Sequence, residues 1–288
     1  MIISDKWKDY ELIDCSSGER LERWGDVIFI RPDPQVIWHT PKNDPRWRSA
    51  DARYHRSNSG GGQWEIFKKI PDVWSIGYRE LRFNIKAMGF KHTGLFPEQA
   101  ANWDRIAEII KKSGRELKVL NMFAYTGAAT VSALAAGACV THVDAAKGMV
   151  QWAKENAAIS GVADKKVRWL VDDCKKFIER ETRRGNRYDI IIMDPPSYGR
   201  GPGGEVWKLE DEIYELVCGC LPVLSSQAEA FLINSYTTGL SASVMKYILD
   251  VTVGKIFGGQ VEADELGLPV SAQNCALPCG AAALWRSR

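Results

Sequence analysis

The sequence predicts a doubly wound α/β domain with a mostly parallel sheet, preceded by a small β-rich domain. From residue 117 onward, short apolar runs alternate with segments whose apolar residues recur at helical spacing. Residues 1–86 instead contain short runs bearing Val, Ile, Trp and Tyr, broken by turn residues and without a sustained helical period. We therefore predict a β-rich, substrate-binding domain at 1–86 and an α/β domain at 87–288.

The β-rich domain is predicted to begin with a hairpin over residues 11–24, because two short runs flank a Ser-Ser-Gly turn. Further strands are predicted at 27–31, 35–38, 64–69 and 80–86, with prolines confining the turns between them. Strands this short favour a small sheet or an open barrel.

Residues 46–62 form a basic and aromatic stretch that ends in three glycines. Arginines bind phosphates and exposed rings stack on unpaired bases, so one interpretation is a nucleic-acid contact. The other is that Trp47 and Tyr54 are buried while the arginines face water. The glycines do not predict a phosphate-binding loop, because no Gly-Lys-Ser/Thr follows them.

The α/β pattern proper begins with residues 117–144, which read as strand, glycine turn, helix, strand and acidic residue. Asp144 stands where a nucleotide-binding βαβ unit has the carboxylate that accepts the ribose hydroxyls. A dinucleotide site needs three glycines in this turn, and here only Gly127 is present. A single glycine suits a nucleoside cofactor without phosphate, of which S-adenosylmethionine is the common example.

The strand–helix alternation continues to the C-terminus. Strands are predicted at 167–171, 188–193, 229–234, 260–266 and 280–286, and Val206, Leu209 and Ile213 begin a helical pattern. Asp173 and the Cys174 backbone follow the strand at 167–171, and we expect them to hydrogen-bond to the edge of an adenine ring. The alternative role for such an Asp is a helix N-cap.

Asp194-Pro195-Pro196-Ser197-Tyr198 follows the strand at 188–193, at the strand end where open α/β sheets bind ligands. Two consecutive prolines remove two amide donors and leave carbonyl oxygens directed at the cleft. Asp194 and the Pro195 carbonyl can then accept hydrogen bonds from an amino group, and the Tyr198 ring can stack on a base. The alternative is a plain loop with an N-capping Asp.

These motifs together resemble the class I S-adenosylmethionine-dependent methyltransferases of the ribosomal RNA large subunit methyltransferase I and K group. The resemblance spans about two thirds of the chain, from Lys91 to Arg286. It rests on residues 93–96, 121–127, 143–144, 172–174 and 193–198. It implies a seven-stranded, Rossmann-like methyltransferase sheet with a reversed last strand, S-adenosylmethionine as the methyl donor and S-adenosylhomocysteine as the product.

The residues expected to bind the cofactor include a dense Gly, Thr, Phe and Pro turn at 89–99 that either covers the cofactor or connects the two domains. The full cofactor-binding set is Thr93, Phe96, Ala124, Tyr125, Thr126, Gly127, Asp144, Asp173, Cys174 and Asp194. The expected catalytic residues are Asp194, Pro195, Tyr198 and Tyr236.

The sequence departs from the group it resembles in two places. Cytosine-C5 members have a nucleophilic cysteine just after the fifth strand, and here Tyr236 occupies that position. C5 methylation is therefore disfavoured, and a nitrogen target suits Asp194-Pro195-Pro196 better. Methyltransferase I types also carry an RNA-binding PUA domain, which is not recognisable here, so the β-rich domain is a candidate to replace it.

Composition limits the expected location and class of the protein but does not identify its substrate. The chain has a net charge of +2, no apolar run long enough for a membrane span and no signal-peptide pattern, so we expect a cytoplasmic protein. Its seven cysteines lack zinc spacing, and no metal is expected. A homodimer is one option for an oligomeric state that the sequence leaves open.

The leading hypothesis is an RNA methyltransferase acting on ribosomal RNA, with an unpaired base entering the cleft near Tyr198 and Tyr236. A small-molecule methyltransferase on the same scaffold is the main alternative, which the near-neutral charge allows. A nicotinamide-dependent oxidoreductase shares Asp144 but lacks the three glycines. A catalytically silent RNA-binding protein is the remaining option.

Overall fold

The structure is a computed structural model that describes residues 1–57, 61–200, 206–237 and 239–287. It divides into two compact units, one of Met1–Ala101 with Leu266–Cys279 and the other of Asn102–Glu265 with Gly280–Arg288. Residues 87–101 and 266–279 thus pack with the N-terminal unit. The Pro97 carbonyl accepts hydrogen bonds from Ser4 and Trp7, and Ile2 pairs with Leu266. A functional boundary at residue 86 stays a prediction.

The N-terminal unit is rich in short strands, as predicted. Strands β2 to β6 form one sheet in chain order, and β7 pairs with β8. The elements are β1 (Ile2–Ile3), β2 (Tyr10–Ser16), β3 (Glu19–Trp24), β4 (Val27–Pro32), α1 (Arg46–Ser49), β5 (Ala52–Arg56), β6 (Gly62–Ile66), β7 (Trp74–Tyr78) and β8 (Leu81–Ile85).

One predicted strand of this unit does not form, and strands β1, β5 and β7 were not predicted. Residues 35–38 form no strand, because prolines flank the segment and the Val36 amide turns back to donate to the Asp33 carbonyl. Strand β7 was missed, because its five residues include Ser75 and Gly77, which weaken the strand pattern. The predicted hairpin is confirmed as the antiparallel pair β2–β3.

The second unit alternates strands and helices. In chain order the elements from Ala100 are α2 (Ala100–Lys112), β9 (Lys118–Met122), α3 (Ala128–Ala135), β10 (Cys139–Asp144), α4 (Lys147–Ile159), β11 (Val167–Val171), α5 (Cys174–Arg184), β12 (Ile190–Met193), β13 (Tyr198–Arg200), β14 (Val206–Lys208), α6 (Leu209–Cys220), β15 (Ala230–Ser235), α7 (Ala242–Leu249), α8 (Lys255–Phe257), β16 (Gln260–Val270) and β17 (Cys275–Arg286). A turn of π-helix, Asp250–Gly254, joins α7 to α8.

The sheet of this unit has the strand order β11-β10-β9-β12-β15-β17-β16 among the described residues. Strands β9, β10, β11, β12 and β15 run parallel, whereas β17 is antiparallel to β15. The predicted seven-stranded, mostly parallel sheet with a reversed closing strand is therefore confirmed.

Burial explains why this sheet is stable. All four residues of β12 are buried, as expected for a central parallel strand covered on both faces. Helices α5, α6 and α7 contribute apolar residues to one core cluster with the strands, while α3 and α4 pack together and against β10 outside that cluster. In the described part of the chain, no helix is both long and apolar enough to cross a membrane.

Strand register aligns the ends where the candidate residues lie. Met122 of β9 is paired with Val143 of β10 on one side and with Met193 of β12 on the other. Met193 in turn pairs with Ile233 of β15. The segments that follow these strands therefore leave the same edge of the sheet, which is the usual ligand-binding edge of an open α/β sheet.

Candidate cofactor and substrate site

The segment after β9, residues 123–127, is called the β9 loop here and has an unusual backbone. Phe123 and Tyr125 adopt left-handed conformations with φ of 53° and 51°, and Gly127 has φ of 79°. A left-handed conformation costs a non-glycine residue about 1–2 kcal/mol. Two such residues within three positions persist only where the surrounding structure holds them, and this is a common property of ligand-binding loops.

Hydrogen bonds from its own amides hold the β9 loop against β10. The Ala124 N–H donates to the Val143 carbonyl at 3.1 Å, and the Tyr125 N–H donates to Asp144 Oδ2 at 2.8 Å. The Asn156 side chain donates to the Thr126 carbonyl at 2.8 Å. The loop is therefore fixed in shape before any ligand binds.

Asp144 ends β10 and is half-buried. Its second oxygen, Oδ1, accepts a hydrogen bond from the Ala146 N–H at 2.8 Å. Burial raises the pKa of Asp144, and the two backbone hydrogen bonds oppose that rise. Each carboxylate oxygen keeps an unused lone pair, because a carboxylate oxygen accepts two hydrogen bonds. A carboxylate oriented in this way can accept from a pair of ribose hydroxyls.

Gly127 is the position where α4 comes closest to the loop. A Cβ atom built on it would lie 2.6 Å from the Ala153 Cβ, so no larger residue fits. Beneath it, Asn121 donates to Thr130 Oγ1, which lies 3.0 Å from His142 Nδ1. Burial lowers the pKa of His142 to about 3, so this histidine is neutral at physiological pH. The β9 loop therefore packs against close-packed, uncharged side chains.

Asp173 and Cys174 open helix α5 after β11. Asp173 Oδ1 accepts from the Lys176 N–H at 2.9 Å, so the N-cap alternative is confirmed. Asp173 Oδ2 and the Cys174 N–H have no hydrogen-bond partner among the described residues. The Cys174 side chain points into the core, where its sulfur accepts from the Phe123 N–H at 3.4 Å. The Cys174 thiol lies in the core, so the backbone N–H is the part of Cys174 that remains a candidate for the predicted adenine contact.

The segment after β12, residues 194–198, is called the β12 loop and is held mainly through its carbonyls. The Pro196 carbonyl accepts from the Trp207 Nε1–H at 2.7 Å, and the Ser197 carbonyl accepts from the Leu209 N–H at 3.1 Å. The Pro195 carbonyl receives no hydrogen bond from the part of the chain that the structure describes. Asp194 is half-buried beside it.

The two predicted aromatic residues occupy different surroundings. Tyr198 is 53% exposed in β13, so its ring is accessible to a partner. Tyr236 directly follows β15 and is half-buried, with its ring close to the Gly280 backbone. A Cβ on Gly280 would lie 2.9 Å from Tyr236 Cδ1, so glycine at 280 makes room for that ring. Thr238, next but one along the chain, lies outside the described residues.

Thr93 and Phe96 belong to the N-terminal unit. Thr93 is fully buried, and its hydroxyl has no hydrogen-bond partner among the described residues. The Phe96 ring lies 5.3 Å from the His92 ring. Their predicted role in cofactor binding stays a prediction.

The basic and aromatic stretch 46–62 is mostly engaged within the N-terminal unit. Arg46 pairs with Asp44 and Arg53 pairs with Glu19. Tyr54 is buried against Trp64. The interpretation in which aromatic rings are buried is confirmed for Tyr54, and residues 58–60 of the predicted loop lie outside the described residues.

Sequence reasoning missed Trp207. Val206 had been assigned to a helix, but it lies in β14, and the helix begins at Leu209. The Trp207 ring lies 5.7 Å from that of Phe123, and Lys175 Nζ lies 5.2 Å from its centre. A strand of three residues is too short to show a periodic pattern of apolar residues. The one available signal was a single tryptophan between the Asp194-Pro195-Pro196 motif and the helical pattern that follows it.

Comparison with known proteins identifies the family. The family model of the S-adenosylmethionine-dependent methyltransferases matches residues 43–223. The chain belongs to this family. An S-adenosylmethionine-dependent methyltransferase from Agrobacterium tumefaciens, known from a crystal structure, is 35% identical in sequence to this chain. The two structures match with a TM-score of 0.92 over 100% of this chain and 94% of that one.

More distant relatives share the fold or a part of the sequence. A methyltransferase from Streptococcus mutans has the same fold at 20% identity, with a TM-score of 0.76 over 98% of this chain and 76% of that one. The ribosomal RNA large subunit methyltransferase K/L of Shewanella frigidimarina is 31% identical over 156 residues, which is 54% of this chain and 21% of the relative. The chain thus matches about a fifth of the length of that relative.

The protein is therefore an S-adenosylmethionine-dependent methyltransferase, and the residues of its second unit fit that cofactor. Asp144 offers two oriented oxygens for ribose hydroxyls. Asp173 Oδ2 and the Cys174 amide offer one acceptor and one donor, the pair that an adenine edge requires. The β9 loop has a single glycine, which suits a ligand without a pyrophosphate.

Proposed function

We propose that this methyltransferase transfers a methyl group to a nitrogen atom of a base in RNA, and specifically in ribosomal RNA, in the cytoplasm. The substrate class is supported by the names of relatives that match part of the chain. The nitrogen target is supported by one observation above all. The Pro195 carbonyl, next to the Asp194 carboxylate at the ligand-binding edge, has no hydrogen bond among the described residues.

The cofactor side of the proposed site is built on two strand ends. Asp144 holds the ribose hydroxyls, and Asp173 with the Cys174 amide reads the adenine edge. The β9 loop, from Ala124 through Tyr125 and Thr126 to Gly127, borders the methionine part of the cofactor. When bound, the cofactor supplies a methyl group on a positively charged sulfur, which is an electrophile that needs no further activation.

The acceptor side positions the target nitrogen. Asp194 and the Pro195 carbonyl accept hydrogen bonds from the two hydrogens of an amino group, which directs the nitrogen lone pair away from them and toward the methyl group. Tyr198 and Tyr236 offer rings for stacking on the base, which is extruded from its RNA stack. Catalysis then comes mainly from alignment, an effect worth several kcal/mol when reacting atoms are held at contact distance.

The cysteines support a nitrogen target over carbon 5 of cytosine. Carbon-5 chemistry needs a thiolate that adds to the ring, and Tyr236 occupies the position of that cysteine. Cys174 and Cys220 are buried, and burial raises the pKa of both thiols far above the physiological range. Burial therefore disfavours the thiolate form that a nucleophile requires at both positions.

The test is a comparison of modified nucleosides in ribosomal RNA from a strain with the gene and a strain without it, by mass spectrometry. We expect one N-methylated nucleoside to disappear and to return when the purified protein is added with S-adenosylmethionine. Complementation with the Asp194→Ala variant should not restore it. If all modified nucleosides persist in the deletion strain, the ribosomal substrate is wrong, and a C-methylated product would overturn the nitrogen target.

A further inference from the structure

Trp207 occupies the middle of a short antiparallel pair, β13–β14, directly opposite Gly199. It is half-buried, and its indole Nε1–H donates to the Pro196 carbonyl at 2.7 Å. This distance is short for an N–H···O hydrogen bond and lies within the normal range. The bond joins the side chain directly to the proposed acceptor loop.

The composition of the β12 loop makes this bond important. Pro195 and Pro196 have no N–H, so two consecutive residues of the loop cannot anchor it through their own donors. The loop must instead be held at its carbonyls by donors from elsewhere. Trp207 engages the carbonyl of Pro196, whereas the carbonyl of the neighbouring Pro195, a buried residue, has no donor among the described residues. The indole thus occupies one of the two adjacent acceptors and leaves the other unpaired.

The same ring also contacts the cofactor side. Its centre lies 5.7 Å from the ring of Phe123, the first residue of the β9 loop, whose backbone is left-handed. On the other side, Lys175 Nζ lies 5.2 Å from the ring and forms an ion pair with Glu212 of α6. Aromatic and cation–π contacts of this kind contribute about 0.5–1.5 kcal/mol each. Trp207 therefore contacts both loops that leave β9 and β12.

We propose that Trp207 is a positioning residue for methyl transfer. It fixes the β12 loop relative to the β9 loop, so that the Asp194–Pro195 acceptor pair faces the methyl group. This inference depends on the proposed function, because it assigns the acceptor to that pair. Residues of this kind act through the groups they orient, and a misplacement of 1 Å can lower a rate about 100-fold.

Trp207→Phe tests the hydrogen bond, because it keeps a six-membered ring beside Phe123 and Lys175 and removes the N–H together with the five-membered ring, the same change that the control below makes. With ribosomal RNA as substrate, we expect kcat to fall by about 10- to 100-fold. The Kd for S-adenosylmethionine should stay within about twofold, because that site is held by other contacts. Trp207→Ala should lower kcat as well and also weaken cofactor binding, because the Phe123 contact is lost.

Trp285→Phe is the matched control. Trp285 also donates its indole N–H to a carbonyl, that of Gly258, at 2.6 Å. It pairs with Phe231 near the start of β15, whereas the proposed site lies at the end of that strand. An equal loss of kcat in Trp285→Phe would show a general stability effect and would overturn the assignment. So would a normal kcat in Trp207→Phe.

A second measurement does not require any acceptor. In hydrogen exchange of the protein saturated with S-adenosylhomocysteine, Trp207→Phe should raise exchange by about tenfold at Leu209, whose N–H donates to the Ser197 carbonyl, and leave residues 118–127 unchanged. If the wild-type protein methylates no RNA, the proposed function fails, while this result still decides the role of Trp207. Unchanged exchange at Leu209 would overturn it.

Discussion

The β9 loop and the β12 loop leave adjacent, in-register strands, yet the protein holds them in opposite ways. The β9 loop donates its own amides to fixed acceptors on β10, namely the Val143 carbonyl and the Asp144 carboxylate. The β12 loop contains two prolines, which have no N–H, and two of its carbonyls accept hydrogen bonds from Trp207 and Leu209. The β9 loop is thus held mainly by amides that donate and the β12 loop mainly by carbonyls that accept, although the Asp194 N–H donates to the Met122 carbonyl and the Thr126 carbonyl accepts from Asn156.

This difference predicts that substitutions in the two loops affect different measured quantities. Because the β9 loop and Asp144 orient each other, a change there should alter the affinity for S-adenosylmethionine. Because the β12 loop contains the proposed acceptor pair, Asp194 and the Pro195 carbonyl, a change there should alter turnover with little effect on cofactor affinity. The predictions that follow test this separation, from the largest expected effect to the smallest.

Gly127→Val should have the largest effect. The new side chain meets Ala153 at 2.6 Å and must adopt φ of 79°. Strain and overpacking together cost about 2–5 kcal/mol, so we expect a clear loss of stability in urea unfolding and no measurable cofactor binding by calorimetry. Gly148→Ala in α4 is the control, because nothing lies within 4 Å of its Cβ position. Normal binding by Gly127→Val would mean that the β9 loop does not shape the cofactor site.

Asp194→Asn should lower turnover without changing cofactor affinity. The amide keeps the size of the side chain but replaces an acceptor with a donor, which opposes the hydrogens of an amino group. We expect kcat to fall on the order of 100-fold while the Kd for S-adenosylmethionine stays within about twofold. Steady-state kinetics together with calorimetry checks this, and an equal loss of affinity would place Asp194 on the cofactor side.

Asp144→Ala should show the reverse pattern. The loss of two hydrogen bonds to ribose hydroxyls should weaken S-adenosylmethionine binding by about 2 kcal/mol, or roughly 30-fold. Turnover at saturating cofactor should change much less. Because burial raises the pKa of Asp144, the wild-type affinity should also begin to fall at a higher pH than an ordinary aspartate would predict. A pH-independent affinity in the acid range would contradict the ribose role.

The smallest effect at neutral pH concerns His142 beneath the β9 loop. Its pKa is about 3 in the folded protein and about 6.5 in an unfolded chain, so unfolding takes up a proton between these values. Stability should therefore fall as pH decreases from 6.5 to 3, by up to about 1.4 kcal/mol per pH unit from this group. His142→Gln should reduce that slope in urea unfolding at a series of pH values. The exposed His39→Gln is the control, and an unchanged slope in His142→Gln would refute the assignment.

The sequence alone was sufficient for much of the second unit. Its central strand β12 is continuously apolar and buried, so local pattern and burial agree there. Asp144 and Asp194 were candidates because Asp144 ends a strand and Asp194 directly follows one, and the ends of parallel strands lie at one edge of a sheet whatever the packing. The family, the cofactor and the order of the elements follow from signals of this kind.

Tertiary structure decided how the candidate residues are used. Asp173 and Cys174 are adjacent in sequence, but only packing directs one side chain to a helix N-cap and the other into the core. Trp207 contacts Pro196 and Phe123, residues that no short-range pattern relates to it. A left-handed Phe123 and an occupied Pro196 carbonyl depend on contacts between distant segments, and no local rule encodes such contacts. The sequence by itself determined the strand ends of this methyltransferase, and the fold determined which carbonyl at those ends is occupied by the Trp207 indole.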